Sequence, residues 1–140
     1  MTPEDAPNLS LDFGKLAAVA VCGGCLPVVV QNADTREVIL LAYTNERAMR
    51  EAFRLRRLVL WSTSRNELGE KGATSGARFE LVEARVNCEQ NSLLYLVRAV
   101  RPDGAPPLGI CHTRNHSGSP RNCYYRRIDF DSLSLENLDP

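Results

Sequence analysis

The chain has 140 residues, and its 17 lysines and arginines balance 17 aspartates and glutamates, for a formal net charge of zero. That length fits one domain able to bury a core, and the charge balance gives no field to draw it to nucleic acid or an anionic membrane. No apolar run approaches the roughly 20 residues a membrane helix needs.

The start, MTPEDAPNLS, lacks the basic and apolar regions of a signal peptide, so cytoplasmic residence is the expectation. Five cysteines in such a chain favour metal binding or free thiols over a disulfide framework. Residues 1–10 read as a frayed polar lead-in. Ser10 or Asp12 can cap a short helix through Lys15–Val21, stopped by Gly23 and Gly24. Cys22 and Cys25 form a C-x-x-C, which marks a redox pair or half a zinc site; no second C-x-x-C accompanies it.

Leu26–Gln31 is a β-branched run and the first predicted strand, with Pro27 near its start where proline is tolerated. Turn residues Asn32–Thr35 separate it from a second strand over Glu37–Tyr43. Asn45 then caps a helix over Glu46–Arg56, whose Ala48, Met49, Ala52 and Phe53 fall at helical spacing. Arg54, Arg56 and Arg57 close it; they suit either a solvated helix end or a phosphate. Leu58–Ser62 is a third strand. The following stretch to Gly76 is rich in hydroxyls and glycine and reads as a long loop. Within it Lys71, Thr74 and Ser75 have phosphate-holding chemistry; the alternative is an ordinary surface loop.

Strands are predicted over Arg78–Val86 and Ser92–Val100, and between them lies Asn87-Cys88-Glu89-Gln90-Asn91. Strand alternation would put Asn87, Glu89 and Asn91 on one side and Cys88 on the other. Such a stretch offers oxygens to a hard cation and a thiolate to zinc, or is simply a polar hairpin turn with a buried cysteine. Arg101–Pro107 is a loop. Leu108–Thr113 and Asn122–Arg126 bracket a second loop bearing glycine and serine, and an acidic tail from Asp129 is expected to drape over the surface.

The runs Leu26–Gln31, Leu40–Glu46, Trp61–Arg65, Lys71–Gly76, Cys111–Thr113 and Cys123–Arg126 resemble, in order, the motifs of the phosphoribosyl-AMP cyclohydrolase family of histidine biosynthesis. The match runs from about Leu26 to Arg126, leaving 1–25 as an N-terminal extension and 127–140 as a tail of a single domain. The resemblance implies an α+β fold, a small β-rich roll that forms an intertwined homodimer. It implies zinc held by three cysteines across the subunit interface, at the positions of Cys88, Cys111 and Cys123. It further implies a nucleotide substrate: zinc-bound water opens the adenine ring of an N1-ribosylated nucleotide at C6. By the same resemblance His112 is the candidate base, or else merely orients the site. Arg65, Lys71, Thr74 and Ser75 would hold phosphate or ribose, and His116, without a counterpart, is a surface residue.

The chain departs from the family where it matters for a second metal. Aspartates of the family pattern Asp-Cys-Asp-x-Asp, which bind magnesium, are here Asn87, Glu89 and Asn91. The carboxylates fall from three to one, so the expectation is weak magnesium binding or none. Gly69, Ala73 and Ala77 also replace family residues, and an insertion within Arg114–Arg121 lengthens the spacing between Cys111 and Cys123. The reading is a divergent cyclohydrolase-type hydrolase, with an altered substrate as one outcome and a non-catalytic, zinc-stapled nucleotide- or protein-binding dimer as the alternative. A zinc nucleoside deaminase requires H-x-E with P-C-x-x-C, and neither half fits.

Overall fold

Val28, Val29 and Val30 occupy the middle of strand β1 (Leu26–Asn32), where β-branched side chains suit a pleated, buried surface. The computed structural model describes residues 2, 4–15, 23–63, 65–70, 78–100 and 111–140. In it β1 forms an antiparallel hairpin with β2 (Val38–Thr44), in register from Leu26 opposite Thr44 to Val30 opposite Leu40. The turn between them is closed by the Asn32 side chain, whose Oδ1 accepts the N–H groups of Asp34 and Thr35 at 2.8 and 3.0 Å.

A second antiparallel hairpin pairs β5 (Arg78–Val86) with β6 (Leu93–Val100). The two hairpins join through parallel pairing of β1 with β6, from Val28 beside Leu93 to Asn32 beside Val97. The resulting order is β2–β1–β6–β5, so β2 and β5 are the edges.

Helix α1 (Glu46–Leu55) forms as the apolar spacing predicts. The Asn45 side chain accepts the Ala48 N–H at 2.9 Å, and Ala48 and Ala52, one turn apart, are fully buried. Phe53 tilts against Tyr95 of β6, ring centroids 6.1 Å apart. The helix ends at Arg56, which takes the left-handed conformation at φ +55°. Leu58, Val59 and Leu60 then run buried into β3 (Val59–Ser62).

Three expectations of backbone structure need correction. The stretch after Ser62 is not all loop: β4 (Glu67–Glu70) pairs with β3, from Val59 opposite Glu70 to Ser62 opposite Glu67. Its only apolar side chain is Leu68, so no alternation announced it; the strand exists because β3 supplies partners for its backbone. Nor is the tail a drape. It folds into a hairpin of β7 (Arg126–Ile128) and β8 (Leu135–Asn137), turned at Asp129, whose Oδ1 accepts the N–H groups of Asp131 and Ser132. Those backbone donors hold the Asp129 carboxyl below the usual range.

The lead-in, finally, does not fray. Leu9 N–H donates to Leu133 C=O and Leu135 N–H donates to Pro7 C=O, both at 2.9 Å. Cys25 is disulfide-bonded, against the expectation of free thiols, whereas Cys88 and Cys111 are free. Apart from Lys15, the helix expected over Lys15–Val21 falls outside the described residues, as does Cys22. Among the described residues no helix is long and apolar enough to cross a membrane.

Tyr95 is wholly buried, and its hydroxyl has no hydrogen-bond partner among the described residues. The Thr44 hydroxyl beside it is directed to the Asn45 carbonyl at 3.2 Å. Burial pushes the Tyr95 pKa up to about 12, with Thr44 opposing the rise. An acid kept neutral in the fold but free to ionise near pH 10 when unfolded contributes stability fully present below pH 10 and lost as pH rises toward 12. Tyr95→Phe is therefore expected to lie within about 1 kcal/mol of the parent at pH 7 and to lose less stability than the parent between pH 10 and 12, measured by urea unfolding. Leu58→Ala, at an equally buried site, is expected to cost about 2–5 kcal/mol in the same assay.

Candidate active site

The residues between β5 and β6 form a turn, so strand alternation does not apply to Asn87, Glu89 and Asn91. Asn87 organises it. Its Oδ1 accepts the N–H groups of Asn91 and Ser92 at 2.9 and 3.0 Å, and its Nδ2 donates to Asn91 Oδ1 at 2.6 Å. Asn91 Nδ2 in turn donates to Glu89 Oε2 at 3.3 Å. Gln90 takes a left-handed φ of +55° to close the loop. The three side chains do come together, through bonds to one another and to the backbone. Both lone pairs of Asn87 Oδ1 are engaged. Cys88, at the tip, is exposed rather than buried, so it is no core cysteine.

Cys111 and Cys123 lie in the segment leading to β7. Cys111 N–H donates to Arg121 C=O at 2.9 Å, and Arg121 N–H donates to Thr113 C=O at 3.1 Å. The insertion within Arg114–Arg121 therefore does not part the two cysteines, because it is folded back on itself. Asn115 Oδ1 accepts from Ser117 N–H, Ser117 Oγ and Ser119 N–H, and Gly118 supplies the φ of +84° the turn requires. The tail buttresses this turn: Asn115 Nδ2 donates to Asp139 Oδ1 and Arg121 Nε to the Asp139 carbonyl.

Cys123 is fixed against edge strand β2. Its N–H donates to Ile39 C=O at 3.0 Å, and the neighbouring Asn122 Nδ2 donates to Val38 C=O and to Glu37 Oε1. Tyr125, two residues on, is buried and carries the guanidinium groups of Arg121 and Arg126 over its ring, at 4.6 and 5.1 Å from the centroid. Burial and the nearby Cys123 raise the Tyr124 pKa.

His112 is 79% exposed on its side chain, with Nε2 3.2 Å from Glu4 Oε1. A backbone hydrogen bond and the His112 imidazole hold the Glu4 carboxyl below the usual range. Nothing in the sequence pointed to Glu4, which sits 108 positions before its partner. Arg65 is mostly exposed, 3.8 Å from Glu67. Arg54 and Arg57 pair with Glu51 and Glu70, so neither presents an unpartnered cation for phosphate. His116 is exposed, as expected, and Lys71, Thr74 and Ser75 lie outside the described residues.

Topology sets Cys88 and Cys123 on different edges of the sheet. Three strand spacings of about 4.8 Å separate the two edges of the sheet. Val28 aligns with Ala42, Leu93 and, through Leu93, Val86. Cys88 lies two residues beyond that row at one end; Ile39, which holds Cys123, lies three residues toward the other. The offset along the strands adds roughly 10 Å or more. Three sulfurs on one zinc would lie within about 4 Å of one another. Consistently, no group of three metal-ligating side chains forms among the described residues. The donor chemistry still fits zinc, since cysteine sulfur is a good zinc ligand and Cys111 and Cys123 stand on hydrogen-bonded backbone.

A model of the phosphoribosyl-AMP cyclohydrolase family matches residues 40–125, which take in Cys88, Cys111, His112 and Cys123. The chain belongs to the phosphoribosyl-AMP cyclohydrolase family. A phosphoribosyl-AMP cyclohydrolase of Halobacterium salinarum is 37% identical over 133 residues, 95% of this chain and 94% of the relative. One from Archaeoglobus fulgidus is 38% identical over 110 residues, covering 79% of this chain and 91% of the relative, and one from Hyphomonas neptunium is 38% identical over 134 residues, covering 96% and 85%. The cyclohydrolase family is one of cyclic amidine hydrolases in histidine biosynthesis, and the chain is an enzyme of that class.

In this cyclohydrolase the Asn115 turn carries the stretch between two candidate ligands. Asn115→Ala removes an acceptor used three times. It is expected to destabilise the protein by about 1–3 kcal/mol and to speed amide exchange at Ser117 and Ser119, read by denaturant unfolding and hydrogen exchange.

Proposed function

We propose that two copies of the chain build the active site together, Cys88 of one meeting Cys111 and Cys123 of the other around one zinc ion. The observation that carries this reading is the separation of Cys88, which follows edge strand β5, from Cys123, whose backbone is bonded to edge strand β2. Three protein ligands leave a coordination position open. Zinc, when bound, supplies Lewis acidity and makes water a better nucleophile at neutral pH.

The substrate is an adenine nucleotide carrying a ribosyl phosphate on N1, which leaves C6 electrophilic. His112 takes the proton as water adds to C6. The N1–C6 bond then breaks and N1 is protonated, leaving a carboxamide and a formamidine-type side chain. Three thiolates dampen the metal's acidity, which makes a base beside the water worth having. Arg65, with Lys71, Thr74 and Ser75, holds phosphate or ribose.

Magnesium has little place in this site. A cation would have to displace the backbone donors that already engage Asn87 Oδ1, and only Glu89 offers charge. Magnesium sheds its waters reluctantly, and neutral amides reward it poorly. The site therefore runs without magnesium.

Ring opening followed by ultraviolet absorbance tests this reading. Phosphoribosyl-AMP is expected to turn over with zinc alone, unaffected by added magnesium, and His112→Ala is expected to lower kcat by about 10²–10⁴-fold at unchanged zinc content. Strict dependence on magnesium would contradict the proposal. Zinc present without turnover of any purine nucleotide would favour a zinc-stapled binding dimer instead.

A further inference from the structure

Residues 7–9 are tied to the tail hairpin on both sides of Asn8, which bridges to Ser134. That docking carries Glu4 onto the segment bearing the candidate ligands. The Glu4 carbonyl accepts from Tyr125 Oη and Arg126 Nη1, each at 3.4 Å, so its backbone is held by the two residues that follow Tyr124. From this anchored position the side chain, itself 39% exposed, turns to His112, where Oε1 lies 3.2 Å from Nε2. Glu4 and the hairpin that positions it both lie outside the stretch the family model matches.

We infer that Glu4 is a positioning residue for the ring-opening reaction: it accepts the Nε2–H of His112 and so fixes the tautomer in which Nδ1 carries the lone pair. An imidazole on an exposed loop is free to rotate about two torsions and to take either tautomer; a fixed carboxylate on one nitrogen selects one orientation and one basic nitrogen. The inference rests on the reading of His112 as the base. The substitution leaves the carbonyl that anchors the segment in place, and a surface side chain of this exposure contributes little to folding.

The test uses the full chain, loaded with zinc. Glu4→Ala is expected to lower kcat by about 10–100-fold, with KM and zinc content within twofold of the parent. Glu4→Gln, which keeps an oxygen acceptor, is expected to recover most of the loss. In the His112→Ala background Glu4→Ala is expected to add nothing, since it acts through that imidazole. Parental kcat for Glu4→Ala while His112→Ala is slow would overturn the inference alone, as would a further loss in the double variant. Parental kcat for His112→Ala would remove the base, and the inference with it.

Discussion

The parallel pairing of β1 with β6 is the constraint on which the rest depends. It joins two local hairpins into one sheet and decides which strands are edges. Had β5 paired with β1 instead, the Asn87–Ser92 turn would sit nearer β2 and the segment fastened to it. With β6 inside, the turn bearing Cys88 and the segment bearing Cys123 are held at opposite corners. On the proposed reading, a ligand set divided in this way needs a second copy of the chain to close. The core supports this placement: Val28, Val30, Tyr95 and Val97, from the two parallel strands, are essentially excluded from solvent.

Much of this was legible in the sequence, for identifiable reasons. The four strands of the main sheet announce themselves as β-branched and apolar runs bounded by turn residues, helix α1 by the helical spacing of Ala48 and Ala52, and Asn45 caps the helix as its side chain suggests. The family could be read because several short motifs stand in order along one register. What was not legible depends on distant partners. β4 holds a single apolar residue and owes its shape to β3. β7 and β8 are three residues each, too short for a period to show. The N-terminal ten residues look like a polar tail until Leu133 and Leu135 offer them backbone partners.

The candidate site divides the same way. Cys88, Cys111, Cys123 and His112 could be named as candidates through the family resemblance. The turn of Asn87, Glu89 and Asn91 was read as a strand-like display and is instead a closed network of amides. Asn87 closes the turn by accepting the backbone N–H groups of Asn91 and Ser92. Glu4 escaped notice altogether, because a lone carboxylate far away in sequence acquires meaning only once the chain is folded.

The central claim is that each metal centre draws Cys88 from one subunit and Cys111 and Cys123 from the other, and subunit mixing tests it most directly. Cys88→Ser and Cys123→Ser variants, each inactive alone, would be unfolded together and refolded as a mixture. A two-fold dimer with shared sites predicts that half the dimers are mixed and that each carries one intact site, restoring about a quarter of the parental zinc content and activity. No recovery on mixing, with mixed dimers demonstrated, would contradict the account.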